Sequence, residues 1–579
     1  MCIVIELKII CYVPVYFCLY LTVTMSQKQN EENEEPVCNK VDLDTILINE
    51  LGQFGRYQIR TLVLAIFGVI FSAFHAEYVF TTARINTRCL IRECEDAQAA
   101  QFAPPWIYNA VPSNDGSFAS CERFGNATLP AGVWNDTCPA ALFDATIMHN
   151  CDERVYEHTQ TVVYDFDLGC DEWRRSLIGF VRTFGTFISL PITGYISDRW
   201  GRRTALALNC FNTAWLGLTR YWVTTYTGFM ISEIVEAIFG SGVFSTTYIL
   251  VLELVGPKYR VIAGGILSSC FALGSVFMGL IAWAVPYWRP LTLALYLPQL
   301  FTIGYFWLIS ESVRWYMSKG RYAESEALLK KVARINQKQL SQKSLELLRI
   351  TAEEEKRRKA IEKEAKAYEP WLIVLVFRHK QILIRCIVLP VWWVTMTLVY
   401  YGLSINAVNM SGNQYINYVA VSAVEIPGFW ISVVLLSRVG RKPVMMGAYW
   451  MCAACQFAYV FMPTDMFGLS LFIYLVGKCA ISSVVTAIYV YTTELYPTKY
   501  RHNLFAFSSM IGRIGSIVAP LTPAIGASTF EEMPFVLFGS LALVSGCLLF
   551  FTPETLGTKL PDTMEEADNL GIDKKTSVL

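Results

Sequence analysis

The feature that most constrains this chain is a recurrence of twelve mostly apolar stretches, each bounded by charged or turn residues. They run 61–81, 176–196, 204–222, 226–249, 261–284, 289–309, 381–402, 415–436, 443–462, 467–490, 503–526 and 533–552. A helix needs about 20 such residues to cross a hydrocarbon core about 30 Å thick. The expected fold is therefore an all-α membrane protein with twelve transmembrane helices, in contact with a lipid bilayer. Composition agrees, since 54% of the 579 residues are hydrophobic and only 17% are charged, against about 25% in soluble domains. A net charge of +0 gives no basic footprint, so a nucleic-acid partner is excluded.

Two long interruptions divide the spans as one, five and six. The resulting expectation is a segment 1–60, a first six-helix bundle 61–310 carrying a loop 82–175, a charged loop 311–380, a second bundle 381–552 and a tail 553–579. The first loop holds Cys89, Cys94, Cys121, Cys138, Cys151 and Cys170, with N-x-[ST] acceptors at Asn126 and Asn135. Six cysteines in an acid-rich, glycosylatable loop point to an oxidising, extracellular side and up to three disulfides, with 15 pairings open. Lys and Arg in the short loops after spans 2, 4, 8 and 10 all fall on the opposite side, which places both termini in the cytoplasm of a plasma-membrane protein. Helical spacing of Leu, Ile and Val around 327–350 predicts amphipathic cytoplasmic helices, and the mixed charge beyond 351 fits a solvated linker equally well. Residues 1–24 are apolar but carry Glu6 and Lys8, and Met25 opens an ordinary polar start, so this stretch is expected to be an upstream extension rather than a thirteenth span.

The halves repeat. Asp198-Arg199-Trp200-Gly201-Arg202-Arg203 follows span 2, and Ser437-Arg438-Val439-Gly440-Arg441-Lys442 follows span 8. Span 4 ends Glu253 to Arg260 and span 10 ends Glu494 to Arg501, with five of eight residues identical and motif-to-motif distances of 55 and 57. Parallel six-helix repeats are a transporter architecture with the substrate site near the midplane between them. Asp198 is expected at the N-terminus of a neighbouring helix, where the dipole favours an anion, and Arg199, Arg202 and Arg203 are expected to pair with Glu253. Arg260, Arg438, Arg441, Glu494 and Arg501 complete the expected gating set on that face.

The Gly194-x-x-x-Asp198-Arg199-x-Gly201-Arg202-Arg203 loop closely resembles the signature of the major facilitator superfamily. The six-cysteine loop, Glu253 to Arg260, Ser310-Glu311-Ser312-Val313-Arg314-Trp315 and Glu494 to Arg501 resemble its organic cation, carnitine and organic anion transporter family, over about residues 40–555. Two positions depart from the pattern: Ser437 stands where the first repeat has Asp198, and Ser310 replaces the usual proline.

Ionisable residues inside a span are costly and mark function by default. They are Arg182 in span 2, Glu233 and Glu236 in span 4, Glu425 in span 8, Lys478 in span 10 and Arg513 in span 11. Glu236 and Lys478 occupy nearly equivalent places in the halves and are expected to face the central cavity. Glu233 and Glu236 share a helix face and can present paired carboxylates to an ammonium group, the alternative being a fixed pairing of Glu236 with Lys478 or Arg513. The resemblance implies more. Arg513 stands where the family's cation transporters have Asp and its anion and carnitine types have Arg, which fits a carboxylate bound through two hydrogen bonds. Trp393 and Tyr400 match the spacing of aromatics lining the family's cavity, suited to a quaternary ammonium group.

The expected function is alternating-access transport of small organic cations or zwitterions such as carnitine or a related amine derivative. A cation gains about 2.3 kcal/mol per 100 mV on entry, whereas a zwitterion needs a sodium or proton gradient or exchange. No other cofactor is expected and no metal, and with five His and no phosphate loop or nucleophile elbow an enzyme is excluded. The rivals are an organic anion exchanger of the same family, favoured by Arg182, Lys478 and Arg513, and a receptor or adhesion protein using the cysteine loop. The terminal Thr576-Ser577-Val578-Leu579 has the form of a PDZ-domain ligand.

Overall fold

The computed structural model describes residues 43–114, 117–127, 138–365, 371–463, 466–558 and 560–570. The apolar segment 1–24, the acceptor Asn135 and the terminal tetrapeptide lie outside the described residues. Ten helices within them are long and apolar enough to cross a membrane, and they coincide with ten of the twelve expected spans. The other two expected spans are helical as well, Arg202–Thr219 and Arg441–Val460, the third of each half. They are less apolar because buried Asn209 and Thr213 in one and Gln456 in the other dilute the hydrophobic run.

Helix packing repeats with the sequence. Span 1 packs on 5, span 2 on 4, and span 3 on 4 and 6; span 7 packs on 11, span 8 on 10, and span 9 on 10 and 12. Each contact of the first half recurs six spans later, and the halves meet where 5 packs on 8 and 2 on 11. Span 4 is broken into Tyr226–Gly240 and Val243–Leu254. At the break Gly240 crosses span 3 closely, with Thr213 Oγ1 donating to its carbonyl at 3.0 Å. Such close crossing of small residues is how helices associate where no hydrophobic drive separates them from lipid.

The loop after span 1 is built from three antiparallel two-stranded ribbons, the longest pairing Glu122–Asn126 with Phe143–Asn150. Of the 15 pairings open to six cysteines, the structure has Cys89–Cys151, Cys94–Cys138 and Cys121–Cys170. Cys89, Ile91, Ile107, Val111 and Phe143 form the loop's small core. Asn126 is exposed on it.

On the opposite face the charged loop folds as helices Val313–Ser318, Tyr322–Asn336 and Gln342–Ala365. Leu328, Leu329, Val332 and Ala333 are one buried stripe of the second, as the 3.6-residue period requires. The last helix continues past 351 to Ala365, with Glu353, Glu354 and Arg357 exposed on it. The Asn336 amide donates to Leu51 O and accepts from Tyr57 N, tying this layer to the start of span 1.

Candidate functional site

Two groups of buried charges lie within the spans. In the first half, Arg182 from span 2 pairs with Glu233 and, at 2.7 Å, with Glu236. Arg220, at the end of span 3, pairs with Glu77 of span 1, Glu233 at 3.1 Å and Glu236 at 3.0 Å. His75 Nδ1 stands 2.9 Å from Glu236 Oε1 and 3.1 Å from Arg182 Nη2. Arg220 also lies over the rings of Phe229 and Tyr296. All five ion-pairing side chains are within 3% of full burial, so low local polarity strengthens every contact.

The second half holds a simpler pair. Lys478 Nζ is 2.9 Å from Glu425, and Tyr400 OH donates to the same carboxylate at 2.6 Å. The ammonium lies 3.7 Å from the centroid of the Tyr400 ring and bonds Ser404 Oγ and Tyr400 O. Trp393 is edge-on to Tyr489 and Phe505 and donates to Thr492 Oγ1 at 3.2 Å. Gly512 of span 11 backs onto the Trp393 backbone, where a Cβ would meet Trp393 Cβ at 2.6 Å. Its neighbour Arg513 is half-buried and its side chain has no ion-pair or hydrogen-bond partner among the described residues. On the loop face a cavity of about 230 Å³ is lined from both halves, with Arg84 and Glu172 facing Asn406, Glu531 and Glu532.

The motif face is built twice. After span 2, Gly201 takes φ 106°, and after span 8, Gly440 takes φ 118°, a region that favours glycine. Each starts a helix whose first backbone N–H groups have no partner within that helix. Glu311 accepts from Arg202 N at 2.8 Å and Arg203 N at 3.2 Å, and Glu554 accepts from Arg441 N at 3.0 Å and Lys442 N at 2.9 Å. Burial pushes the Glu311 carboxyl up, against the backbone N–H bonds that pull it down. Beside each cap, Arg202 pairs with Asp198 at 2.7 Å and Glu253 at 3.3 Å, while Arg441 pairs with Glu494 at 3.0 Å. Arg260 pairs with Asp44 at 2.7 Å, which also takes Arg314. Arg501 Nη2 donates to Thr498 Oγ1 at 3.0 Å.

Several expectations are corrected by these contacts. Glu236 pairs with Arg182, Arg220 and His75, not with Lys478 or Arg513, because spans 1, 2, 3 and 4 of one half enclose it. Glu233 and Glu236 share a helix face as expected, but both are fully buried and turned toward guanidinium groups. Lys478 is likewise fully buried, against Glu425. Helix N-termini on the motif face are capped by Glu311 and Glu554, whereas Asp198 holds the Arg202 side chain. Of the three arginines only Arg202 reaches Glu253; Arg199 and Arg438 are exposed and form no ion pair among the described residues. With Ser437 in place of an aspartate, Arg441 turns both its Nε and Nη2 to Glu494.

The sequence pattern does not single out His75, Glu77, Arg220 or Asp44, and it carries Glu311 only within a motif. Glu77 and Arg220 sit near the ends of spans 1 and 3, where a charge reads as a boundary. Glu554 follows span 12 as Glu311 follows span 6, so the repeat itself marked it. No cluster of metal-ligating residues occurs among the described residues.

The "Sugar (and other) transporter" family model matches residues 140–567. The chain is 29% identical over 536 residues to the "Organic cation transporter protein" of Drosophila melanogaster, covering 91% of this chain and 94% of that one. It is 31% identical over 536 residues to "Solute carrier family 22 member 2" of Homo sapiens, covering 90% and 94%. Among solved structures, a "D-xylose-proton symporter" superposes with a TM-score of 0.57 at 13% identity, covering 87% of this chain and 100% of that one, a likeness of fold alone. A "Partially occluded inward open conformation of the xylose transporter XylE from E. coli" gives 0.55 at 15% identity over 87% and 100%. The relatives are solute transporters by name and the chain has ten helices long and apolar enough to cross a membrane, so this is a multi-pass membrane transporter and not an enzyme. With the repeated motif face, the twelve helices and these matches together, the chain belongs to the organic cation and anion transporter family of the major facilitator superfamily.

Proposed function

We propose that this carrier moves small organic cations or zwitterions, such as carnitine or a related amine derivative, by rocking its two halves around a midplane site. The observation that carries this reading is Arg513. It is half-buried in span 11, next in sequence to Gly512, which packs on Trp393, and its side chain has no ion-pair or hydrogen-bond partner among the described residues, whereas Arg182 and Lys478 are committed to carboxylates. The anion-exchanger reading counted on three cations and is left with one, which matches the single carboxylate of a zwitterion. Trp393 and Tyr400 supply aromatic surface for the cationic end, and Glu425 with Lys478 is a gating pair next to Tyr400. The motif face is proposed as cytoplasmic, where excess Lys and Arg belong, and the disulfide loop as extracellular, with Asn126 as an acceptor for glycan. Asp198, Arg202, Glu253, Arg441, Glu494 and the two caps form a latch that closes this face and must open on inward release.

Replacing Arg513 with Asp tests the assignment. Uptake of carnitine should fall at least tenfold, the cost of about 1.4 kcal/mol for a lost charge-assisted contact, while uptake of tetraethylammonium, which has no carboxylate, should hold or rise. An equal loss for both probes would remove Arg513 from the substrate site.

A further inference from the structure

The loop-face cavity of about 230 Å³ has no part in the midplane site. Tyr459 of span 9, Phe467 of span 10 and Phe535 of span 12 line it, together with Arg84, Glu172 and Arg175 of the first half. Spans 9 and 12 pack on each other, whereas the halves meet where 5 packs on 8 and 2 on 11. A cavity walled by spans 9 and 12 therefore stands beside the path between the halves.

The wall is aromatic on one side and charged on the other. Tyr459 and Phe535 have ring centroids 4.6 Å apart in an edge-to-face pair, and Phe467 is 38% exposed, so ring surface is available to a ligand. Arg175 pairs with Glu172 at 2.6 Å, and Arg84 is shared between Glu172 at 3.6 Å and Glu531 at 3.7 Å. Glu532 lines the same cavity, is exposed, and has no ion pair among the described residues. Three carboxylates against two guanidinium groups leave one negative charge over among the described lining residues. Both arginines are already taken by carboxylates, so the wall has no spare cation for an anionic ligand. Aromatic faces beside a surplus carboxylate attract an ammonium group, through the ring quadrupole and through the opposite charge. The volume is below the about 300 to 1,000 Å³ of sites for drug-sized ligands, which limits the occupant to a small alkylammonium ion.

We propose that this cavity is a second, external binding site for small organic cations, with Glu532 as the countercharge and Tyr459, Phe467 and Phe535 as the surface for the alkyl groups. The ligand class follows from this wall and not from the ion carried at the midplane. Arg84 competes with the bound cation for the carboxylates, so its charge weakens the site while Glu532 strengthens it.

The test uses the full chain in intact cells, with Met462, a half-buried residue of the cavity wall, replaced by cysteine. Two thiol reagents are added outside, trimethylammonium-ethyl methanethiosulfonate and its uncharged hydroxyethyl counterpart, each rate being scaled to that with a small thiol in solution. The parent chain, whose free cysteines include exposed Cys547, sets the background. In Met462→Cys the cationic reagent should react at least about threefold faster than the uncharged one, and tetraethylammonium should slow it. Adding E532Q should abolish both the preference and the protection while the hydroxyethyl rate is unchanged, which shows that the cysteine is still reached. Adding R84Q should act in the opposite direction and lower the half-protecting concentration of tetraethylammonium at least about threefold. Equal scaled rates for the two reagents, or protection that is the same in all three chains, would overturn the proposal. Neither rate depends on transport, so a carrier that proved to move anions at the midplane would leave this test as it stands.

Discussion

The charge count within the first half makes an asymmetric prediction for two residues that touch each other. Arg220 contacts Glu77, Glu233 and Glu236. Replacing it with Met leaves three carboxylates facing Arg182 alone, with two negative charges uncompensated. Removing one member of a buried ion pair typically costs about 3 to 5 kcal/mol, or two to three and a half orders of magnitude in the folded to unfolded ratio at about 1.4 kcal/mol per tenfold. Glu77→Gln removes the surplus carboxylate and retains shape and a hydrogen-bond acceptor, so it should cost about 1 kcal/mol, the worth of an ordinary buried hydrogen bond. The double variant R220M/E77Q returns the cluster to its original net charge and should recover a substantial part of the R220M loss, a coupling of about 1 to 3 kcal/mol. Thermal unfolding of the purified chain in detergent, with surface abundance in cells as a parallel readout, measures all three. If E77Q is as damaging as R220M, or if the double variant shows the sum of the single losses, charge balance is not what holds this cluster together.

The two caps on the motif face should behave alike. Glu311→Ala and Glu554→Ala each orphan the first N–H groups of an equivalent helix and should each cost about 1 to 2 kcal/mol, read by thermal unfolding. Markedly unequal losses would deny their structural equivalence. On the loop, burial raises the Asp167 carboxyl, but hydrogen bonds from Tyr156 and Arg154 outweigh it and hold Asp167 below its usual value. A depressed carboxylate contributes stability that is present above its unfolded value and lost as pH falls through the folded one. Hydrogen exchange at Arg154 to Tyr156 should therefore accelerate only in acid below the usual aspartate range, and D167N should abolish that dependence.

The spans were legible because length and apolarity alone decide that a helix crosses a membrane, and the duplication was legible because its motifs bind turns and helix ends at fixed spacing. Gly201 and Gly440 show the link from sequence to geometry, since both repeats need a positive φ and room for a carboxylate at the same point. What was not legible is which buried charges meet. Glu236 and Lys478 lie at matching positions in the repeat, which suggests that both face the central cavity. Each is instead paired inside its own half, Glu236 with Arg182 and Arg220 and Lys478 with Glu425. Partner choice is set by helices distant in sequence, and the decisive partners, Glu77 and Arg220, lay at span ends where a charge carries no signal of burial. Glu554 was recoverable from the repeat, as the counterpart of Glu311.

Carriage of small organic cations or zwitterions is the property on which the other readings depend. It is tested most directly by uptake of labelled carnitine, tetraethylammonium and p-aminohippurate into cells expressing it, with and without sodium and with the outside made alkaline or acid. Uptake of carnitine or tetraethylammonium above that of control cells is expected, with p-aminohippurate near background. Uptake of p-aminohippurate with neither of the other two would contradict it and return the protein to the anion exchangers.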